Sequence, residues 1–418
     1  MRFKTLEEWL SWQEQLYPQV IDLGLHRVQA LLKALHLERP GFPILIIGGT
    51  NGKGSSVSFA EAMLRAAGHK VGAYVSPHLL RYNERVRVDG VDVSDAEFCE
   101  SFTRIDEARG DLRVTYFEFG TLAAIDILTR RGVSAAVLEV GLGGRLDAVN
   151  ALDADVALIS SIGLDHQEWL GDDRESIGRE KAGIFRKGRP AICGDRRPPD
   201  SLLDHAKTIG AKLQLIGKDF DRDTDGETWT WKGGAQEFRG LPAPALAGHI
   251  QYDNAATVIA ALQSHPRLAV PEASIRRGLM EAKIPARFQR VGSPVETVFD
   301  VSHNPEAARV LSDNLLAFPV RGRSFGVMGM FKDKAVEEVA RALAGRFDHL
   351  YLGGLEGPRG QDAAVLAGRV RAALPDAALS EFPSVSAAYV AAQSAAHPGD
   401  RIVVFGSFQT VAAILKAV

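Results

Sequence analysis

The sequence is poor in cysteine and has no surplus of positive charge. Its 418 residues include two cysteines, Cys99 and Cys193, which lie far apart and outside any CxxC motif. This scarcity argues against a disulfide framework or a cysteine zinc site, and it favours the reducing cytoplasm as the compartment. The formal net charge of -3 also argues against a nucleic-acid partner, because nucleic-acid-binding proteins normally carry a basic surplus.

Long apolar runs are missing as well. No run approaches the roughly 20 residues that a membrane-spanning helix needs. Acidic residues interrupt the first eight positions, so we expect no signal peptide. Hydrophobic residues make up 46% and charged residues 24%, which is typical of a soluble globular protein. We expect a monomer without a membrane partner, built from more than one domain because domains average roughly 100–200 residues.

The N-terminal part predicts an α/β fold with a parallel sheet. The first forty residues are typical of helix. An apolar run at 44–47 is followed by glycines, a helical pattern at 57–67 and a new strand at 71–75, which is a βαβ unit. Apolar runs at 135–138 and 156–159 predict further buried strands. Polar groups follow four of these runs, and ligands bind at the carboxyl ends of such strands, so we expect them on one sheet edge.

The C-terminal part predicts a second, smaller α/β domain. Short strands and loops are expected from 212 to 246, and an alanine-rich helix from 254 to 262. A new alternation of strands and helices then starts, with candidate strands at 297–301, 325–328, 349–352 and 401–405. We therefore predict a P-loop NTPase-type domain at 1–285 and a Rossmann-like domain at 286–418.

The loop at 49–55, Gly-Thr-Asn-Gly-Lys-Gly-Ser, indicates phosphate binding. It offers backbone N–H groups, a helix N-terminus and Lys53, the groups that hold a polyphosphate. The strict G-x-x-x-x-G-K-[ST] pattern is not met, because position 47 is Ile47 and Gly54 separates Lys53 from Ser55. A plain glycine turn would still not explain Asn51, Lys53 and Ser55 at a strand-to-helix junction.

Three further polar residues have two interpretations each, and a fourth has one. Glu139 ends an apolar strand, where a carboxylate can hold Mg²⁺ or can pair with Arg145. Ser76, at a neighbouring strand end, fits either a metal ligand or a helix cap. His166, near a helix start, is more often structural than a ligand, and by its pattern alone Lys181 is a surface lysine on a short helix. The glycines at 141–144 lack the spacing of a second nucleotide fingerprint and predict a tight turn.

Taken together, these segments resemble the folate branch of the Mur-ligase superfamily along nearly the whole chain. The resemblance rests on the loop at 49–55, Ser76 to Leu79, Glu84 to Arg87, Leu138 to Asn150, Leu164 to Phe185, Arg287 to Gln289 and Asp300 to Pro305. It implies an ATP-dependent amide ligase that adds L-glutamate to dihydropteroate and to folates through an acyl phosphate. Glutamate addition to folates alone is the alternative.

Two other functions fit the sequence less well. A cell-wall ligase acting on UDP-sugars would carry a UDP-binding domain before the loop, but only 48 residues precede Gly49. A nucleotide-switched regulatory protein would need neither a paired metal site nor ATP contacts from a second domain.

The resemblance also implies roles for individual residues. Catalytic roles fall on Lys53, Glu139, His166 and Lys181. ATP contacts fall on Asn51, Gly52, Lys53, Gly54, Ser55, Asn254, Arg287 and Asp300. Two Mg²⁺ ions are assigned to Ser76, Glu139, His166 and a carbamylated Lys181. Substrate contacts fall on Asp22, Leu23, Gly24, Leu25, Thr115, Tyr116, Phe117, Glu118, Leu146, Asp147 and Ala148, with His303 and Ser407 for glutamate or domain closure. Ala286 departs from the family, which usually has glycine there, and we expect a slightly stiffer hinge.

Overall fold

A computed structural model describes residues 2–17, 22–226 and 228–416. The chain divides into two compact units, the first comprising Met1–Ala245 with Gln251–Lys283 and the second Leu246–Ile250 with Ile284–Val418. The boundary at 285/286 remains a prediction about where the two functional domains divide. In the described ranges, no helix is both long enough and apolar enough to span a membrane.

The first unit is built on an eight-stranded sheet in the order β4-β3-β2-β5-β1-β6-β7-β8. Its strands are β1 Ile44–Gly48, β2 Val71–Tyr74, β3 Val86–Val88, β4 Val91–Asp92, β5 Ala135–Glu139, β6 Val156–Ile159, β7 Pro190–Cys193 and β8 Lys212–Leu215. Strands β2, β5, β1, β6, β7 and β8 pair in parallel, whereas β3 and β4 form an antiparallel edge. The predicted parallel α/β sheet is confirmed, with this antiparallel edge added.

Helices cover both faces of this sheet. They are α1 Leu6–Leu16, α2 His26–Ala34, α3 Lys53–Ala66, α4 Asp95–Arg109, α5 Tyr116–Arg130, α6 Gln167–Leu170, α7 Arg174–Ala182, α8 Asp200–Ile209, α9 Ile250–Gln263 and α10 Glu272–Glu281. Every residue of β1 and β5 is buried, as expected for central strands covered on both faces. Most of α3 is buried as well, so the helix that starts at the phosphate loop is packed firmly beneath it.

A small antiparallel sheet is inserted before α9. It consists of β9 Phe220–Thr224, β10 Thr228–Gly233 and β11 Gln236–Pro242. Trp229 and Trp231 on β10 are fully buried, and the indole N–H of Trp231 donates to the carbonyl of Ala256 at 3.0 Å. The insertion is therefore anchored on α9 of the same unit.

The second unit has a six-stranded sheet in the order β12-β13-β17-β14-β15-β16, with only β12 antiparallel. Its strands are β12 Gln289–Val291, β13 Glu296–Phe299, β14 Ser324–Met328, β15 His349–Gly353, β16 Leu379–Phe382 and β17 Arg401–Phe405. Its helices are α11 Pro305–Ala317, α12 Val336–Ala342, α13 Ala363–Ala373, α14 Val385–Ala395 and α15 Phe408–Leu415. The four predicted strands are present, and β12 and β16 were not predicted.

Candidate active site

The phosphate loop turns sharply between β1 and α3. Gly49 has φ +141°, and a Cβ atom there would lie 2.0 Å from the hydroxyl of Ser160. Gly52 has φ +86° and forms the N-cap of α3, and a Cβ atom there would lie 2.7 Å from the side-chain oxygen of Asn254. Two loop glycines are thus required by backbone conformation and by close neighbours. The structure also brings Asn254, from α9, to the loop.

Hydrogen bonds from the end of β6 hold the loop in place. The Thr50 N–H donates to the Ser161 carbonyl at 2.8 Å, and the Thr50 hydroxyl donates to the Gly163 carbonyl at 3.1 Å. The Ser160 hydroxyl donates to the Asn51 carbonyl at 2.6 Å. The loop is therefore preorganised by the neighbouring strand, and its N–H groups at the start of α3 face a site suited to anions.

Two lysines converge on one carbonyl of this loop. Lys53 Nζ donates to the Gly49 carbonyl at 3.1 Å, and Lys181 Nζ donates to the same oxygen at 3.0 Å. Lys181 is only 4% exposed, so its reading as a surface lysine is wrong. Burial, reinforced by the nearby Lys53 cation, lowers the pKa of Lys181 to about 7, while Asp165 and Asp147 act in the opposite direction. A buried amine with such a pKa is neutral in a substantial fraction of molecules near pH 7, and the neutral form can act as a nucleophile.

Glu139 lies beside the loop because β5 pairs with β1. The register places Ile47 opposite Glu139, and the carboxylate accepts a hydrogen bond from the Ser76 N–H at 3.3 Å. Glu139 is 5% exposed. The alternative partner, Arg145, instead forms an ion pair with Glu180 at 2.8 Å. The structure thus brings Ser76 and Glu139 together at the carboxyl ends of adjacent strands.

His166 occupies an unusual backbone position. Its φ of +52° lies in the left-handed region, which is uncommon for residues other than glycine, and it forms the N-cap of α6. Its N–H donates to the carboxylate of Asp165 at 2.9 Å. Non-glycine residues held in this region cluster at functional sites, which is consistent with the predicted role of His166, although histidine also adopts this region as a structural N-cap.

The donors at this edge suit magnesium. In the described ranges there is no group of three or more His, Cys, Asp or Glu side chains that could hold a metal ion. Magnesium does not require such a group, because it keeps several waters and uses one or two carboxylates with substrate phosphates. Glu139 offers one such carboxylate beside the phosphate loop, and it is held there by the backbone N–H of Ser76.

A buried arginine joins two of the predicted substrate segments. Arg27 on α2 donates from Nε to the Glu118 carboxylate at 2.9 Å and from Nη1 to the Asp22 carboxylate at 2.8 Å. Glu118 also forms a capping box with Thr115 at the start of α5. Arg27 carries no motif that would single it out in the sequence, although it immediately precedes the apolar stripe of α2. Leu23, Gly24 and Leu25 follow Asp22 and are half-buried.

The third predicted substrate segment, Leu146 to Ala148, lies in the turn region that packs against α5. A Cβ atom on Gly141 would lie 2.5 Å from the ring of Phe117, so the turn after β5 packs closely against α5. The Asp147 carboxylate accepts hydrogen bonds from the N–H groups of Gly141 and Leu142 at 3.0 and 2.9 Å. Burial raises the pKa of Asp147 to about 6, although these N–H donors lower it. Leu146 and Ala148 flank Asp147, and Tyr116 begins α5 beside Phe117.

The remaining predicted residues lie in the second unit. Asp300 is buried and accepts hydrogen bonds from the N–H groups of Phe288 and Ser302 at 2.8 and 2.9 Å. The Arg287 guanidinium lies 5.8 Å from the Phe408 ring centroid, and the His303 ring lies 6.5 Å from the same ring. The Ser407 hydroxyl caps α15 by accepting from the Thr410 N–H at 3.0 Å. Arg287, His303 and Ser407 therefore share one neighbourhood around the start of α15.

Comparisons with known proteins agree with this architecture. Residues 47–261 match the family described as "Mur ligase middle domain", and residues 286–408 match "Mur ligase, glutamate ligase domain". These two matches define the class, an ATP-dependent Mur ligase.

Individual relatives indicate which branch of the Mur ligases the chain belongs to. The chain is 42% identical to "Dihydrofolate synthase/folylpolyglutamate synthase" of Escherichia coli strain K12, over 99% of this chain and 95% of that protein. The solved structure of E. coli FolC in complex with DHPP and ADP superimposes with a TM-score of 0.94 at 42% identity, covering 99% of this chain and 97% of that one.

A second solved structure is similar to the same extent. It is a bifunctional folylpolyglutamate synthase/dihydrofolate synthase with Mn, AMPPNP and L-glutamate bound, which has a TM-score of 0.91 at 43% identity and covers 99% of this chain and 98% of that one. The chain belongs to the dihydrofolate synthase/folylpolyglutamate synthase family of Mur ligases.

Proposed function

We propose that this chain uses ATP to join L-glutamate to dihydropteroate, and to folates that already carry glutamate. The observation that carries the proposal is the convergence of Lys53 and Lys181 on Gly49 within a chain similar to bifunctional enzymes over 99% of its length. One site for both acceptors is reasonable, because both present a carboxylate on the same pterin-containing scaffold. A cytoplasmic, monomeric enzyme without nucleic-acid or membrane partners is part of the proposal.

The chemistry requires activation of the acceptor. A carboxylate does not condense with an amine unaided, because oxide is a very poor leaving group. Transfer of the γ-phosphoryl group of ATP to the carboxylate forms an acyl phosphate and releases ADP. The amine of glutamate then attacks the acyl carbon, inorganic phosphate leaves and the amine loses a proton. Phosphoryl transfer depends mainly on positioning and charge neutralisation.

The phosphate loop would supply both of these effects. Asn51, Gly52, Gly54 and Ser55 would contact the phosphates through the loop and the start of α3, and Lys53 would neutralise their charge. Asn254 would contact the nucleotide from α9, since its side chain lies against Gly52. In the second domain, proposed as residues 286–418, Arg287 and Asp300 would contact ATP, while His303 and Ser407 would serve glutamate binding or closure.

Two Mg²⁺ ions belong to the proposal. Ser76 and Glu139 would hold the first, and His166 with Lys181 would hold the second. When bound, Mg²⁺ neutralises the negative charge on the phosphate oxygens. Lys181 fits this role after carbamylation, in which its neutral amine adds to CO₂ and loses a proton, so that a cation becomes a carboxylate.

The acceptor would lie along three segments of the domain proposed as residues 1–285. Asp22 to Leu25, Thr115 to Glu118 and Leu146 to Ala148 surround the start of α5, where Arg27 holds Asp22 and Glu118 in place. Phe117 offers an aromatic face and Asp147 a buried carboxyl group. An aromatic face beside buried polar groups suits a flat heterocycle such as a pterin.

A single assay tests the proposal and its alternative. Purified protein is incubated with ATP, Mg²⁺ and glutamate, and either dihydropteroate or tetrahydrofolate is added. Phosphate release is expected only when an acceptor and glutamate are both present, with product formed from each acceptor. Activity on tetrahydrofolate alone would reduce the function to folylpolyglutamate synthesis. Phosphate release that is indifferent to both acceptors would instead support a nucleotide-switched protein.

A further inference from the structure

Arg85 is a buried cation at the edge of the candidate active site. It ends a short 3-10 helix, Tyr82–Arg85, and is 8% exposed. The Val75 N–H donates to the Arg85 carbonyl at 2.9 Å. This bond fixes the arginine beside the end of β2, next to Ser76. Its placement there is therefore set by the sheet itself.

The Arg85 guanidinium contacts a histidine ring nitrogen and two aromatic rings. Its Nε donates to Nδ1 of His78 at 2.9 Å, which makes that ring nitrogen an acceptor. The guanidinium also lies 5.1 Å from the ring centroid of Tyr82 and 5.6 Å from that of Tyr116. Aromatic faces attract a cation but do not neutralise it.

No carboxylate compensates this charge in the described part of the chain, where no Arg85 ion pair is formed within 4.0 Å. The adjacent acid, Glu84, is engaged elsewhere, because it accepts hydrogen bonds from the N–H groups of Leu79, Leu80 and Arg81 at 2.7, 2.8 and 2.7 Å. Other buried arginines differ: Arg27 pairs with Glu118 at 2.9 Å.

A buried, uncompensated cation is costly, so its retention beside a ligand site points to an anionic ligand group. The nucleotide phosphates are the less suitable partner. The phosphate loop follows β1, and β5 separates β1 from β2, so the two strand ends are roughly 10 Å apart at about 4.8 Å per strand. Arg85 lies on the far side, toward β3 and Tyr116.

We infer that Arg85 binds a carboxylate of the acceptor acid, a role that rests on the proposed function. Guanidinium groups match carboxylates with two parallel hydrogen bonds, and the stacking on Tyr82 and Tyr116 orients the planar group. The carboxylate is either the one that reacts or the α-carboxylate of a glutamyl acceptor. Both have the same chemistry, and the two acceptors distinguish them.

The test compares Arg85→Gln and Arg85→Lys with the wild type. The KM for the acceptor is expected to rise roughly ten- to hundredfold in Arg85→Gln, the range for a lost charged hydrogen bond. Arg85→Lys keeps the positive charge but lacks the two parallel N–H donors of a guanidinium, so the KM for the acceptor should rise less than in Arg85→Gln. The KM values for ATP and glutamate should change less than about twofold. Arg81→Gln, at a neighbouring arginine whose side chain is 70% exposed, is the matched control and should behave as wild type.

The two acceptors identify which carboxylate is bound. Dihydropteroate has only the reacting carboxylate, so a raised KM for both acceptors assigns that group, and a raised KM for tetrahydrofolate alone assigns the α-carboxylate. Unchanged KM values for both acceptors, or an equal rise for ATP and glutamate, would overturn the inference. If the wild type does not ligate at all, the proposed function fails separately. In that case, equilibrium dialysis can compare the affinity of folate for the wild type and for Arg85→Gln. Equal affinities would show that Arg85 does not bind a folate carboxylate.

Discussion

At the scale of single residues, Lys181 illustrates how burial changes chemistry. A lysine on a surface helix keeps its charge, but Lys181 is buried and donates to the Gly49 carbonyl. Charging an amine in such surroundings is costly, and the neighbouring Lys53 increases that cost. The neutral amine that results is the form that can add to CO₂, so the local environment prepares the side chain for its proposed role.

Replacing this lysine should abolish ligation. We expect Lys181→Ala to lose at least about a thousandfold in kcat, which is roughly 4 kcal/mol of barrier. A small carboxylate such as acetate should partly restore activity by entering the space left by the carbamate. Phosphate release with and without acetate measures both effects. Wild-type rates in the unsupplemented variant would remove Lys181 from the site, and Lys187→Ala, on a lysine outside the proposed site, serves as the control.

The carbamate should depend on pH in a defined direction. Burial lowers the Lys181 pKa to about 7, so the amine is mostly protonated below pH 7 and mostly neutral above it. Carbon-13 NMR with labelled bicarbonate should therefore show a carbamate signal that grows as pH rises from 6 to 8, and the signal should be absent in Lys181→Ala. A signal that does not vary over this range would contradict the lowered pKa.

The same pKa shift links pH to stability. The unfolded chain holds the lysine proton up to about pH 10.5, whereas the folded chain releases it near 7, so the unfolded state binds more protons between these values. The penalty for burying Lys181 is therefore complete below pH 7 and is progressively relieved as pH rises toward 10.5.

Ala286 offers a test of backbone strain. Its φ is +57°, in the left-handed region, which costs a non-glycine residue roughly 1–2 kcal/mol. Glycine would relieve this strain but would lose a buried methyl group worth about 0.8 kcal/mol. We expect Ala286→Gly to leave the free energy of unfolding unchanged or to raise it by up to about 1 kcal/mol. Denaturant titration of the wild type and the variant measures this difference in the free energy of unfolding.

The control substitution for that experiment should change the free energy of unfolding in the opposite direction. Ala372 is exposed in the last turn of α13, where glycine should lower the free energy of unfolding by up to about 1 kcal/mol. If Ala286→Gly destabilised the protein as much as Ala372→Gly does, the strain at position 286 would be refuted.

At the scale of elements, the phosphate loop and β6 form one unit of structure. The Ser160 and Ser161 side chains bond the loop backbone, and Gly49 allows the close approach. The loop therefore keeps its shape before any nucleotide arrives. Preorganisation of this kind limits the ordering cost of binding.

Gly49→Ala should disrupt this element. The added Cβ would meet the Ser160 hydroxyl at 2.0 Å in a backbone conformation that disfavours alanine, so the loop must move. We expect ATP affinity to fall by at least about tenfold, which corresponds to 1.4 kcal/mol. Gly68→Ala is the control, because Gly68 also has positive φ but no atom within 4 Å of a Cβ. Isothermal titration with a non-hydrolysable ATP analogue compares them, and equal affinities would reject the steric role of Gly49.

At the scale of the whole molecule, the proposed ATP contacts are divided between two units. Asn51 to Ser55 and Asn254 belong to the first unit, and Arg287 and Asp300 belong to the second. We propose that closure of the second domain over ATP precedes chemistry, since closure excludes water from many transferase sites.

Removing the second domain tests this division. A fragment ending at residue 285 should form no folyl-glutamate, although it retains the phosphate loop, and should bind ATP more weakly than the full chain. Circular dichroism verifies that the fragment is folded, and product analysis measures ligation. Ligation at the full rate by the folded fragment would rule out closure as an essential step.

Much of the fold was predictable because its signals are local. The buried runs of β1, β5 and β6 and the helix after the glycine loop follow from hydrophobic pattern. Short or partly exposed strands, such as β4 and β16, were not predictable, because pairing with a neighbour rather than burial defines them. The candidate site was recognisable at the phosphate loop and Glu139, whereas Arg27 has no local signature and Arg85, although it lies in a family motif, has no role that the motif alone indicates.

The sequence by itself determined the class of sheet, the phosphate loop and the family, because these depend on periodicity and on motifs of adjacent residues. Only the tertiary structure decided that Lys181 is buried against Gly49, that Arg27 joins Asp22 to Glu118, and that Arg85 lies beside Ser76. The physical reason is that burial and ion pairing depend on residues far apart in the chain. Their effects on charge and pKa arise only after the strands and helices have packed.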